Sequence, residues 1–176
     1  MLDPRRHYAS LRFVALLPLV LFFPIMVSFF ISPGVVWGEY VGVFFHLSIL
    51  FLVSRLDAAP WAKAAGYGWV AADVLAGIMV INEVDDDTAW AVRLGAHVLA
   101  GVWIVASSLV SRSWPVRAVG VLTGVWLGGY SFVGNVLGEV FLRPASIMIL
   151  VWFALLAFLH RDQPERPAAP AGTAPA

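Results

Sequence analysis

The sequence contains no cysteine. A disulfide framework, a thiol nucleophile, a Cys-ligated zinc site and a Cys-ligated iron–sulfur cluster are thereby excluded. Charge is scarce as well. Only 12% of the 176 residues are Asp, Glu, Lys or Arg, where roughly 25% is usual for a soluble domain. The 11 basic residues offset the 11 acidic ones, so no cationic excess exists to hold a phosphate backbone and no nucleic-acid partner is expected. The motifs G-x-x-x-x-G-K-[ST], H-E-x-x-H, G-x-S-x-G and paired E-x-x-H are also absent. Their absence removes the common signatures of phosphate loops, zinc hydrolases, serine hydrolases and di-iron bundles. No catalytic constellation, metal-ligand set or cofactor is implied, and an enzyme is not the expectation.

What the sequence has instead is apolar residues. Ala, Val, Ile, Leu, Met, Phe, Trp, Tyr and Cys make up 61%, against about 45–50% for a soluble domain even with Gly counted. Composition and length together point to one integral membrane domain in contact with a lipid bilayer. A spanning helix needs about 20 mainly apolar residues to cross roughly 30 Å of hydrocarbon. Six segments qualify: 11–31, interrupted by Pro18 and Pro24, then 35–53, 64–82, 90–110, 116–137 and 144–160. The first is longer than the roughly 7–15 residue apolar core of a signal peptide and lacks an Ala-x-Ala-like site after it, so it reads as a retained span. Runs of this length make an all-α polytopic bundle, since barrel strands would alternate over about 10 residues. The short loops predict that sequence neighbours pack antiparallel.

Residues 1–162 thus read as a six-helix transmembrane domain. Residues 163–176, rich in Pro and Ala, read as a disordered cytoplasmic tail. With the N-terminus inside, Arg5, Arg6, Arg12, Arg55, Lys63, Arg112, Arg117, Arg161 and Arg166 all fall on the cytoplasmic side. Only Arg93 and Arg143 fall outside, so the positive-inside rule places both termini in the cytoplasm of a cell-membrane protein. Glu39, Glu83, Asp85, Asp86, Asp87 and Glu139 form an acidic outer rim. The Asp85–Asp87 run reads as a solvated loop that reinforces topology, and Glu139 and Arg143, four apart, read as a local pair.

The informative residues are the polar ones inside the spans. An ionisable side chain at bilayer depth costs about 2.5–3.5 kcal/mol or more, so it faces the bundle interior and finds a partner. Counting residues at 1.5 Å each sets His46 roughly 16 Å, Asp73 roughly 14 Å and His97 roughly 10 Å below the outer edge. Arg93 lies one turn above His97 on the same helix face. Tyr130, Ser131 and Asn135 fall in the outer half of the fifth span. The expected site is one buried cluster of His46, Asp73, Arg93, His97, Tyr130 and Asn135, in which Asp73 meets His97 or accepts the longer Arg93 from above. Gly120, Gly124 and Gly128 recur at four-residue spacing, and Gly101 follows His97 by four. Small residues at that spacing predict close helix approach within the bundle or across a homo-oligomer.

The segments DVLAGIMVINEV, AVRLGAHVLAGVWIVASS and GGYSFVG, from the third to the fifth spans, resemble the small, uncharacterised six-span integral membrane proteins of the bacterial inner membrane. The resemblance implies a six-helix membrane fold and carries over no catalytic residue. Three functional readings follow from the cluster. The first is an interaction or structural bundle, fixed by ion pairs and docked to another membrane protein. The second is a binding or transport protein for a small molecule or proton-coupled solute, using His46, Asp73, Arg93 and His97. The third is an electron carrier with haem between His46 and His97.

Overall fold

A computed structural model describes residues 10–159; the first nine residues and the Pro/Ala-rich tail lie outside the described residues. Among the described residues six α-helices make up the fold: α1 (Leu11–Ile31), α2 (Val36–Arg55), α3 (Pro60–Ile81), α4 (Asp86–Leu109), α5 (Trp114–Tyr130) and α6 (Arg143–Leu159), with a 3-10 turn, Glu139–Leu142, before the last. Among the described residues there is no strand. Five segments are long and apolar enough to cross a membrane: α1 to α4, and Glu139–Leu159, which contains α6. The protein is therefore a multi-pass helical bundle of the membrane type.

Local chemistry explains most helix boundaries. Ser10 caps α1 by accepting from the Phe13 amide, and the helix runs on through Pro18 and Pro24. Pro60 and Pro115 occupy the first turns of α3 and α5, where the missing N–H would have no partner anyway. Helix α4 starts at Asp86, four residues before the expected Trp90, because Asp85 is its N-cap. The Asp85 carboxylate accepts from the Thr88 amide at 2.9 Å and from the Thr88 hydroxyl at 2.8 Å. Asp86 and Asp87 follow in the first turn, where the helix dipole favours negative charge. The acidic run thus starts a helix rather than lying in a loop.

The fifth helix differs from expectation. It stops at Tyr130, not Leu137; residues 131–136 form consecutive turns, and a bend at 137 leads on to the 3-10 turn. Gly128 and Gly129 close the helix, and Gly134 and Gly138 follow, all with low helical propensity. Side chains on α5 satisfy carbonyls beyond it. The Tyr130 hydroxyl donates to Leu137 O at 3.0 Å, and the Trp126 indole donates to Phe141 O at 2.8 Å. Arg143, expected to pair with Glu139, lies over the rings of Phe29 and Phe30, with centroids at 5.9 and 5.0 Å.

Each helix packs on its sequence neighbours, and α6 returns to α1, so the six form a closed ring. The half of the ring nearer Ser10 and Leu159 is filled by large side chains. Trp69, Trp103 and Trp152 contact one another in a row, tilted and then edge to face, with centroids 5.7 and 5.6 Å apart, beside Phe45 and Phe153. Helices α4 and α5 touch backbone to backbone. A Cβ on Gly124 would lie 2.7 Å from Gly101 O, and one on Gly101 would lie 2.5 Å from Gly124 O. Only glycine allows that approach, as the small-residue spacing predicted. The opposite half of the ring is not filled.

Candidate functional site

Asp73 sits midway along α3 with its side chain 1% exposed. Trp69, one turn earlier on the same face, donates its indole N–H to Asp73 Oδ2. The same oxygen meets His46 Nε2 of α2 at 3.2 Å. The other ring nitrogen, Nδ1, donates to Gly42 O at 2.8 Å, one turn back along α2. That bond assigns a proton to Nδ1 and turns Nε2 toward the carboxylate. Both imidazole nitrogens therefore face oxygen acceptors. A proton on Nε2 would lie between it and Oδ2, 3.2 Å away.

Arg93, on α4, closes the network. Its two terminal nitrogens donate in parallel to the two carboxylate oxygens of Glu39, with Nη1 to Oε1 at 3.0 Å. The planar fork of guanidinium matches a carboxylate in this way. Arg93 Nε points at Asp73 Oδ1 from 3.6 Å, too far for a hydrogen bond. Asp73 Oδ1 and His97 Nδ1 are shielded from solvent and lack a hydrogen-bond partner among the described residues. Such orphans are uncommon in a folded interior and call for a specific reason.

Asp73 and His97 are among the residues that line a cavity of about 170 Å³ in the unfilled half of the ring. Phe22, Ile25, Met26 and Phe29 of α1 line one side, and Leu142, Ala145, Ser146 and Ile149 line another. Phe45, Trp69, Trp90 and Leu127 complete an apolar wall around a polar end made of His46, Asp73, Arg93 and His97. A separate pocket of about 130 Å³ lies between α1 and α2, lined by His46, Arg93, Glu39 and, in the connecting turn, Gly34 and Val35. Apolar walls with a few convergent polar groups are the usual make-up of a small-molecule site.

Comparison with known proteins finds no matching family model, no matching curated protein and no matching solved structure. The geometry alone therefore carries the functional argument.

The structure brings four of the six expected residues together at the cavity: His46, Asp73, Arg93 and His97. Of the two partners expected for Asp73, Arg93 approaches it, at 3.6 Å, while the place expected for His97 is taken by His46 at 3.2 Å. Tyr130 stands at the end of α5 with its hydroxyl bonded to Leu137 O, and Asn135 is exposed in the following turns; neither lines the cavity. Glu39 and Trp69 belong to the network although the sequence did not single them out as site residues. Helical spacing holds the signal for both. Glu39 precedes His46 by seven residues and Trp69 precedes Asp73 by four, which places each pair on one helix face. Among the described residues no group of three or more His, Asp or Glu side chains is arranged to hold a metal ion. Both nitrogens of His46 are engaged, which leaves neither free for an axial haem bond.

Proposed function

We propose that the chain is a six-span protein of the cell membrane that binds a small solute in this cavity and couples it to the proton of the His46–Asp73 pair. In this reading α5 is the sixth span. Its 17 residues reach roughly 25 Å at 1.5 Å each, and the turns at 131–136 extend it to the outer interface. The distribution of Lys and Arg puts both termini in the cytoplasm and the cavity in the outer half. The absence of native cysteine makes this directly testable. Asp87→Cys reacts with a membrane-impermeant maleimide from outside intact cells, and Asp57→Cys does not; the reverse pattern overturns the orientation.

One observation carries the binding reading. Asp73 lines the cavity, and its buried Oδ1 accepts no hydrogen bond, with Arg93 Nε at 3.6 Å as its charged neighbour. A carboxylate that served only to join helices would have both oxygens satisfied, because an unsatisfied buried acceptor costs about 1–3 kcal/mol or more. A ligand that donates to Oδ1 supplies the missing bond.

A second reading keeps the cluster structural, and a specific observation favours it too. The chain from Glu39 through Arg93, Asp73 and His46 ties α2, α3 and α4 together. Native mass spectrometry in mild detergent separates the two. The binding reading expects a small retained mass on the wild type that is lost in Asp73→Asn and in Ser146→Phe, which fills the cavity, with helix content unchanged in both. A bare wild-type mass together with an unfolded Asp73→Asn supports the structural bundle instead.

A further inference from the structure

We infer that the ligand of this cavity is a small lipophilic ammonium ion, a single ring with a short amine-bearing arm, taken up in exchange for the proton of the His46–Asp73 pair. The inference rests on the binding reading above and adds the chemical class and the exchange. Size sets the first limit. An apolar cavity of about 150 Å³ holds a benzene molecule, so about 170 Å³ here takes one ring and little more.

Charge sets the second. Glu39 and His46 reach the network from α2, and Arg93 and His97 reach it from α4. The lining residues of α1, α5 and α6 carry no charge, and Glu139, before α6, acts on Arg93 from outside the lining. Two carboxylates, Glu39 and Asp73, thus face one guanidinium. With the shared proton on the His46–Asp73 pair the cluster is neutral. Without it the cluster carries one negative charge, and an isolated charge in a low-dielectric interior is expensive. A bound cation restores neutrality.

Hydrogen bonding and shape agree with this. Asp73 Oδ1 offers an acceptor without a donor, and an ammonium group brings three. Phe22, Phe29, Phe45 and Trp90 line the cavity, and aromatic rings are the kind of lining that suits a cation. Anions find no comparable place, since both terminal nitrogens of Arg93 are already given to Glu39.

The exchange balances in atoms and charge. The ammonium ion enters and donates N–H to Asp73 Oδ1. The proton between Nε2 and Oδ2 leaves for water, and His46 stays neutral with its remaining proton on Nδ1. Net charge inside the bundle is unchanged, so the process needs no counter-ion.

The test uses the full chain in detergent with three probes of one shape: phenethylammonium, phenethyl alcohol and phenylacetate. Titration calorimetry in buffers of different ionisation enthalpy reads both affinity and proton release. The inference expects phenethylammonium to bind at least tenfold more tightly than the other two. It expects close to one proton released per cation, and affinity rising up to tenfold per pH unit where the pair is protonated. Asp73→Asn loses the cation preference. His46→Gln, which retains the Asp73 carboxylate, binds the cation without proton release and without the pH dependence, and so serves if Asp73→Asn does not fold. Preference for the alcohol or the carboxylate, abolished by Ser146→Phe, overturns the ammonium class while the cavity reading stands. Binding of none of the three, in a protein that also retains no small mass, overturns both.

Discussion

Trp69 donates its indole N–H to the same oxygen of Asp73 that faces His46. The ring of Trp69 is also part of the row of tryptophans that fills the other half of the bundle. One residue thus joins the packed half to the polar half. Trp69→Phe keeps most of the ring and removes the donor. It is expected to destabilise the protein by about 1–3 kcal/mol, the cost of leaving a buried acceptor short of a partner. Reversible unfolding in mixed micelles measures this, and a change within error of zero would show that the bond contributes nothing.

Glu39 and Arg93 form a parallel, two-bond pair with side chains 22% and 23% exposed. Removing one partner of such a partly buried pair leaves the other charged and without these two bonds. Arg93→Gln or Glu39→Gln alone should cost about 3 kcal/mol, and the double variant should cost less than the sum of the two. Strict additivity in that cycle would mean that the contact has no energetic weight.

A Cβ on Gly124 would lie 2.7 Å from both Val105 Cγ2 and the Gly101 carbonyl oxygen, and the backbone oxygen cannot move aside as a side chain can. Gly124→Ala therefore pushes α4 and α5 apart and should lower stability by about 1–3 kcal/mol, as overpacking does elsewhere. Gly129, where a Cβ meets open space, is the control: Gly129→Ala should be neutral or mildly stabilising. Equal melting temperatures for the two variants would contradict the close approach.

Asp85 caps α4 from the aqueous edge, and its bonds from the Thr88 hydroxyl and amide hold its carboxyl below the usual aspartate range. A carboxyl lowered in the folded state contributes stability that is complete above its unfolded value and fades as pH falls through the folded one. The melting temperature of Asp85→Ala should therefore lie below that of the wild type at neutral pH, with the gap closing in acid. A gap that stays constant with pH would assign the effect to helix propensity rather than to the charged cap.

The bundle and the depth of its polar residues were legible in the sequence because hydropathy and residue count report on both. His46, Asp73, Arg93 and His97 come from three helices, and similar depth was enough to group them. Their partners were not legible. Whether Asp73 meets His46 or His97 depends on how α2 and α4 rotate against α3, and apolar residues face both lipid and core, so periodicity does not fix that rotation. Glu39 was read as part of the acidic rim because it lies in the first turn of α2, yet its side chain turns inward to Arg93. Helix α5 was overextended because Phe132, Val133, Val136 and Leu137 keep hydropathy high past the point where the chain turns. The cavity depends on how side chains fail to fill a space, and no local pattern encodes it.

The central claim is that His46 and Asp73 hold one exchangeable proton. Solid-state nitrogen-15 NMR of histidine-labelled protein in lipid bilayers, with His46→Gln to assign the signals, tests it directly. The expected spectrum of the free protein shows His46 protonated at Nδ1 and with Nε2 engaged in a strong hydrogen bond to a carboxyl partner. Adding phenethylammonium converts it to a neutral ring protonated at Nδ1 alone. A neutral His46 protonated only at Nε2, unchanged by the amine, would contradict the account and leave the cluster as a fixed joint between helices.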